Sequence, residues 1–229
     1  MQLTYAQLTA ALAQMNNVSG NDGGAFRARL RKLQGEGIPG DANPGKGRRV
    51  AYTLPLVIET TVAVELLQMG WSTSQAASLI RSHRQDILAA TLLSLTPDQD
   101  NNQDVLFAVS PEALGNTAIA DRVGAISFVT RGKVGLLFQL GPSIASLTGD
   151  IWRWSLIDLA VATLVTMGSI AHIGLPNEAV VQALREAIEK NSEIIQNFRD
   201  TKLNMIVTEI EAGGSKMASI DRTKVPKTA

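Results

Sequence analysis

Ala25-Phe26-Arg27-Ala28-Arg29-Leu30-Arg31-Lys32-Leu33-Gln34-Gly35 is the stretch on which the reading of this chain turns. Phe26, Leu30 and Leu33 recur at helical intervals, and the positions between them carry Arg27, Arg29, Arg31 and Lys32. A helix is therefore expected over Ala25–Gln34, with one apolar stripe to bury and a basic face to leave in water. Upstream, Tyr5, Leu8, Ala11, Leu12 and Met15 show the same spacing, with Thr4 placed to cap, so a helix is expected over residues 4–15. Asn16–Gly24 is polar and glycine-rich and reads as a turn. Downstream, Gly35–Gly47 holds five glycines with Pro39 and Pro44, which makes it a loop, and Arg48–Thr53 is short enough for one strand.

Charge sharpens this picture. The 229 residues sum to a formal charge of zero, with 21 basic and 21 acidic side chains. Residues 1–95 nevertheless carry nine bases against six acids, and the remainder carries the opposite imbalance. Seven of those nine bases fall between residues 26 and 49, where only Glu36 and Asp41 oppose them. A helix, a turn, a basic second helix and then a glycine-rich loop with Lys46, Arg48 and Arg49 match helix-turn-helix logic, in which the second helix enters the major groove. Arginines there bind phosphates or read guanine edges, and the loop can clamp the flanking backbone. The plain alternative is a solvated helix face beside a basic loop.

Other chemistries find little support. There is no cysteine, so disulfides and thiolate metal sites are excluded, and His83 and His172 are too far apart in sequence to suggest a metal centre. Gly45-Lys46-Gly47 lacks phosphate-loop spacing, no nucleophile elbow occurs, and the carboxylates are scattered. No enzyme activity, cofactor or metal is expected. The first residues lack the basic and apolar regions of a secretory signal, and Leu156–Ile173 is only marginally long for a membrane span, so it is read as a core helix in a cytoplasmic, nucleoid-associated protein.

The rest of the chain is read more coarsely. Leu54–Met69 is expected as an amphipathic helix ended by Gly70, and Ser72 with Gln75 forms a capping box for a helix from Thr73 to about His83. Residues 96–104 have linker composition. Val105–Val109 and Ala125–Thr130 are β-like, with Arg131-Gly132-Lys133 turning into a strand at Val134–Leu140. A helix is expected from Ser155 to His172 and a long one from Asn177 to about Ala212. On the latter, Val181, Leu184, Ile188, Asn191, Ile195 and Phe198 follow alternating three- and four-residue steps, the spacing of a dimer seam, with an amphipathic helix packed on its own domain as the equal alternative. Trp152 and Trp154 are read as core anchors ahead of pocket walls.

Arg31-Lys32-Leu33-Gln34-Gly35-Glu36-Gly37-Ile38-Pro39, Gly47-Arg48-Arg49-Val50-Ala51-Tyr52 and Glu65-Leu66-Leu67-Gln68-Met69-Gly70-Trp71-Ser72 resemble, respectively, the recognition-helix exit, the wing and the third-to-fourth helix junction of the MerR family of winged helix-turn-helix regulators. The resemblance covers roughly residues 3–85 and departs from the family in Leu33-Gln34, which replaces a Tyr-Glu pair, and in the longer turn and wing.

The resemblance implies a mainly α fold with minor β. A winged helix-turn-helix domain would span 1–95, a linker 96–104, an α+β or helical regulatory and dimerisation domain 105–213, and a disordered tail 214–229. It implies a transcriptional regulator binding double-stranded DNA as a homodimer through Arg27, Arg29, Arg31, Lys32, Lys46, Arg48, Arg49 and Tyr52, answering an unidentified small-molecule or protein signal. Two alternatives stand beside it: a protein-interaction adaptor or mobile-element accessory factor on the same fold, and a small-molecule-binding protein using residues 105–173.

Overall fold

A computed structural model describes residues 1–18, 23–40, 50–96, 104–110, 126–134 and 154–203. Seven helices and three strands account for most of them: α1 (Tyr5–Met15), α2 (Gly23–Gly35), α3 (Leu54–Gln68), α4 (Thr73–Leu95), β1 (Val105–Val109), β2 (Ile126–Thr130), β3 (Ser155–Asp158), α5 (Leu159–His172), α6 (Asn177–Lys190) and α7 (Ser192–Phe198). The protein is mainly helical with one small antiparallel sheet, as the sequence predicts at that level.

Capping chemistry sets the helix ends. Thr4 with Gln7 and Ser72 with Gln75 form reciprocal capping boxes that start α1 and α4. At the end of α2, Gly37 takes φ +79°, its N–H donates to Gln34 O at 3.0 Å, and the Ile38 N–H donates to Leu33 O at 2.9 Å. These two bonds satisfy carbonyls the helix leaves open, and the buried Ile38 and Leu33 close the motif with an apolar contact. The same two-bond ending recurs after α1 at Asn17, after α3 at Gly70 and after α5 at Gly174.

α3 lies at the centre. Every residue from Val57 to Val64 is buried, including Glu59, Thr60 and Thr61, so the helix is enclosed on all sides rather than amphipathic. It packs on α4 and α5, and α5 also packs on α1 and α4. Thr61 Oγ1 donates to Thr166 Oγ1 at 3.2 Å, linking α3 and α5. Residues on both sides of the 96–104 segment therefore share one hydrophobic cluster, running from Leu3 and Leu12 through Val62 and Leu92 to Ile170 and Phe198. The expected linker marks no boundary in that core.

The sheet has the order β2-β1-β3, antiparallel throughout, with Phe107 opposite Phe128 on one side and Ile157 on the other. All five residues of β1 are buried because both faces are covered. Val105, Phe107 and Val109 join the main core, while Leu106 and Ala108 join a smaller cluster with Val129, against which Trp154 packs. Arg131 ties the strand ends together by pairing with both Asp104 and Asp158, and Asp158 also caps α5 through the Val161 N–H at 2.9 Å.

Several expectations are corrected. α4 continues to Leu95, past a non-helical His83 (φ −121°, ψ 18°), because Ile87, Ala89, Ala90, Leu92 and Leu93 have a second apolar surface to cover. Arg131–Lys133 forms a 3₁₀ turn, and of the strand expected at Val134–Leu140 all but Val134 lies outside the described residues. Ser155–Asp158 is a strand, recruited by the exposed edge of β1, and the helix begins only at Leu159.

The long helix from Asn177 is interrupted at Asn191, whose side chain turns back to donate to Ala187 O at 2.7 Å. After α7 the chain forms a π turn over Arg199–Leu203. The dimer seam is correspondingly dismantled. Ile195 and Phe198 are buried in the chain's own core, Leu184, Ile188 and Asn191 are half-buried, and Val181 is exposed. The other reading, a helix packed on its own domain, fits better. Among the described residues no helix is long and apolar enough to cross a membrane, and no group of carboxylates and histidines is placed to hold a metal ion.

Candidate nucleic-acid interface

α2 divides its residues as its periodicity requires. Phe26, Leu30 and Leu33 are buried against α1 and α4, and Arg27, Arg29, Arg31 and Lys32 are all exposed. None of these four cations forms an ion pair among the described residues; Arg27 Nε donates to Gly23 O at 3.0 Å. Successive residues of a helix are rotated by about 100°. That rotation sets Gly24, Ala28, Arg31, Lys32 and Gly35 on the side opposite the buried stripe, with Arg27 and Arg29 on the two flanks. An added Cβ at Gly24 or Gly35 would meet nothing within 4 Å, so open space lies before that face. The outward face thus combines small residues, which let a partner approach the helix closely, with two cations at its middle.

Lys46, Arg48 and Arg49 fall outside the described residues. Their flanks do not. On the C-terminal side Tyr52 forms an isolated antiparallel bridge with Leu3, with N–O distances of 3.0 and 2.9 Å. The short strand expected over Arg48–Thr53 is represented, among the described residues, by this one bridge.

Tyr52 itself is corrected from a contact residue to a core residue. It is 1% exposed, its ring lies 6.4 Å from that of Tyr5, and Gln34 Nε2 donates to its hydroxyl at 2.6 Å. Burial pushes the Tyr52 hydroxyl above its ordinary range, opposed by the bond from Gln34. A phenol held in this way cannot reach a duplex. It joins the last turn of α2 to the chain that follows Lys46, Arg48 and Arg49.

On the N-terminal side a second set of contacts holds residues 36–40, and composition and spacing had not singled it out. Ser74 Oγ donates to Glu36 Oε1 at 2.7 Å, and the Arg81 guanidinium donates to the Glu36 carbonyl. The peptide between Ile38 and Pro39 is cis, and both residues are buried. The Gly40 N–H donates to Glu59 Oε1 at 3.0 Å, and Arg84 Nη2 pairs with the same oxygen at 3.0 Å. The Glu59 side chain is 6% exposed, while that of Arg84 is 42% exposed. One signal in the sequence points to this arrangement. Glu59 is the one charged residue in the stretch Leu56–Val64, between Leu56-Val57-Ile58 and Val62-Ala63-Val64, and a carboxylate at such a position must find a cation or several donors.

Comparison with known proteins finds no matching protein-family model, no similar curated protein and no similar solved structure.

Proposed function

We propose that this protein is a sequence-specific regulator that binds double-stranded DNA through α2, in the manner of the winged helix-turn-helix proteins that residues 3–85 resemble. The observation that carries the reading is the division of α2: three apolar side chains face the core, and four cations, free of ion pairs among the described residues, face water. A helix of this kind with glycine and alanine on its outer face fits a major groove, where the backbone must come close to the base edges. Arg31 and Lys32, central on that face, take base edges or the nearest phosphates. Arg27 and Arg29, on the flanks, take phosphates on either side of the groove. Lys46, Arg48 and Arg49 add contacts to the flanking backbone.

Phosphate contacts release counterions, so affinity falls with salt at a slope of about 0.9 per contact in a log–log plot. The test is binding to a pool of random duplexes, followed by salt titration on the enriched sequence. Arg31→Ala is expected to relax sequence preference at one position and cost about 1–3 kcal/mol. Arg27→Ala is expected to weaken all sequences alike and lower the slope by about 1. Failure to enrich any sequence, with no salt-dependent binding to duplex, would overturn the reading and favour a protein adaptor on the same scaffold.

A further inference from the structure

The hydrogen-bonding side chains of α2 are one-sided in kind. Across its 13 residues the polar side chains are Arg27, Arg29, Arg31, Lys32 and Gln34. The four cations carry donors and no acceptor. Gln34 therefore holds the one acceptor among the side chains of the helix, and its amide is engaged elsewhere. Gln34 Nε2 donates to the Tyr52 hydroxyl at 2.6 Å, and Tyr52 is buried, so the half-buried amide is held against the core. The Glu36 carboxylate, just past the helix, is the next acceptor, and Ser74 Oγ donates to it at 2.7 Å. On the outward face, the side chains of Gly24, Ala28 and Gly35 offer no hydrogen-bonding group. Arg31 and Lys32 are left as the groups that can meet base edges there.

The major-groove edges of the bases differ in what they present. Guanine shows two acceptors, N7 and O6. Adenine shows an acceptor beside a donor, cytosine a donor, and thymine one acceptor beside a methyl group. A side chain with donors alone makes two bonds to guanine and one to adenine or thymine. Opposite the amino group of adenine or cytosine it leaves donor facing donor, at the cost of an unpaired group in a desolvated contact.

We propose that α2 selects guanine, with Arg31 and Lys32 each bound to N7 and O6 of a guanine. The inference rests on the DNA-binding reading of α2 and names the base class that this helix recognises. Adjacent residues of a helix diverge by about 100°, so the two cations reach different guanines rather than share one. Arg31 is the stronger discriminator, because its planar guanidinium matches the two acceptors in a fixed fork and the Lys32 ammonium is a point charge. The bond between Gln34 and Tyr52 has a part in this choice. An amide is the side chain suited to adenine, and that bond keeps the amide of α2 out of the groove.

The experiment enriches duplexes from a random pool with the full chain, in parallel for the wild type, Arg31→Gln, Arg31→Lys and Gln34→Ala, with helix content checked by circular dichroism. Arg31 is exposed, so its replacement leaves the core intact. The wild type should enrich guanine at two positions. Arg31→Gln should change one of them from guanine to adenine and leave the other alone, whereas Arg31→Lys should keep guanine at both. Gln34→Ala should leave both unchanged. In competition, replacing guanine by adenine at the Arg31 position should weaken wild-type binding by about 5- to 150-fold and strengthen that of Arg31→Gln.

An enriched site without guanine at the position that responds to Arg31→Gln would overturn the guanine assignment. So would an Arg31→Gln protein with the wild-type preference, a Gln34→Ala protein with an altered one, or salt-dependent binding with no enrichment at all. Each of these outcomes leaves duplex binding standing. A wild-type protein with neither enrichment nor salt-dependent duplex binding would remove the DNA reading itself, and the guanine assignment with it.

Discussion

Phe198→Ala separates two accounts of the C-terminal helices. In the structure Phe198 is 2% exposed, and its ring meets that of Phe128 edge-on, with centroids 5.1 Å apart at 88°. Phe128 in turn stacks on Phe107 at 5.0 Å. The substitution removes a ring from the junction of α7, β2 and β1 and leaves a cavity between elements that cannot all collapse into it. Truncation of a buried phenylalanine costs about 3–5 kcal/mol, of which the edge-to-face pair supplies about 0.5–1.5.

For a chain of this length each kcal/mol shifts the melting temperature by about 2–4 °C, so a fall of roughly 6–20 °C is expected. The loss should be the same at protein concentrations about a hundredfold apart, because Phe198 packs within its own chain. Urea and thermal unfolding at both concentrations provide the assay. Val181→Ala serves as the control: Val181 is 47% exposed, and its truncation should change stability by no more than about 0.5 kcal/mol. A Phe198→Ala loss below about 1 kcal/mol, or one that grows as the protein is diluted, would refute the intramolecular packing and restore the dimer seam.

Tyr52→Phe should cost about 0.5–1.5 kcal/mol by removing the acceptor for Gln34, with the salt slope of any duplex binding unchanged; a slope that drops by about one unit would return Tyr52 to the contact set. The His83 imidazole, 3.8 Å from the Asp86 carboxyl, holds that carboxyl below the usual range against the opposing effect of burial, with the Lys202 charge adding to it. Its contribution is therefore complete above the ordinary carboxylate range and lost as pH falls through the depressed value. The stability gap between wild type and Asp86→Asn should close on acidification, and a gap that stays constant down to acid would contradict the pairing. Glu65 has the opposite sign, because burial alone raises its pKa. Its ionised form opposes folding near neutrality, and this penalty is relieved as pH falls through the raised value, so Glu65→Gln should be neutral or stabilising at pH 7. A clear loss of stability in that variant would mean the carboxylate has a favourable partner.

Local chemistry was legible in the sequence. Thr4 with Gln7, Ser72 with Gln75, and the endings at Gly70 and Gly174 act within a few residues of themselves, so the helices they bound stand close to where the spacing puts them. The partition of α2 into Phe26, Leu30 and Leu33 against its four cations was equally visible, since helical rotation alone separates them. Less visible was anything that depends on a distant surface. α4 runs on past His83 because α5 and α7 cover its second half, and no local signal announces their arrival.

The same limit applies to the candidate interface. Tyr52 sits in a motif that looks like a contact strand, yet the bridge to Leu3 and the bond from Gln34 turn it into the core. Glu59 was conspicuous only as the one charged residue of a largely uncharged helix stretch; that it faces Gly40 and Arg84 depends on the packing of α3 against α4. Ile195 and Phe198 satisfy seam spacing equally well whether their partner is another chain or the aromatic cluster on β1 and β2. The sequence alone determined the helix periods, their caps and the sign of charge along α2, because each is set by residues within one or two turns. Only the tertiary structure decided which apolar faces meet, which polar groups are buried with partners and where the chain leaves α2, because burial is a property of two surfaces and periodicity describes only one.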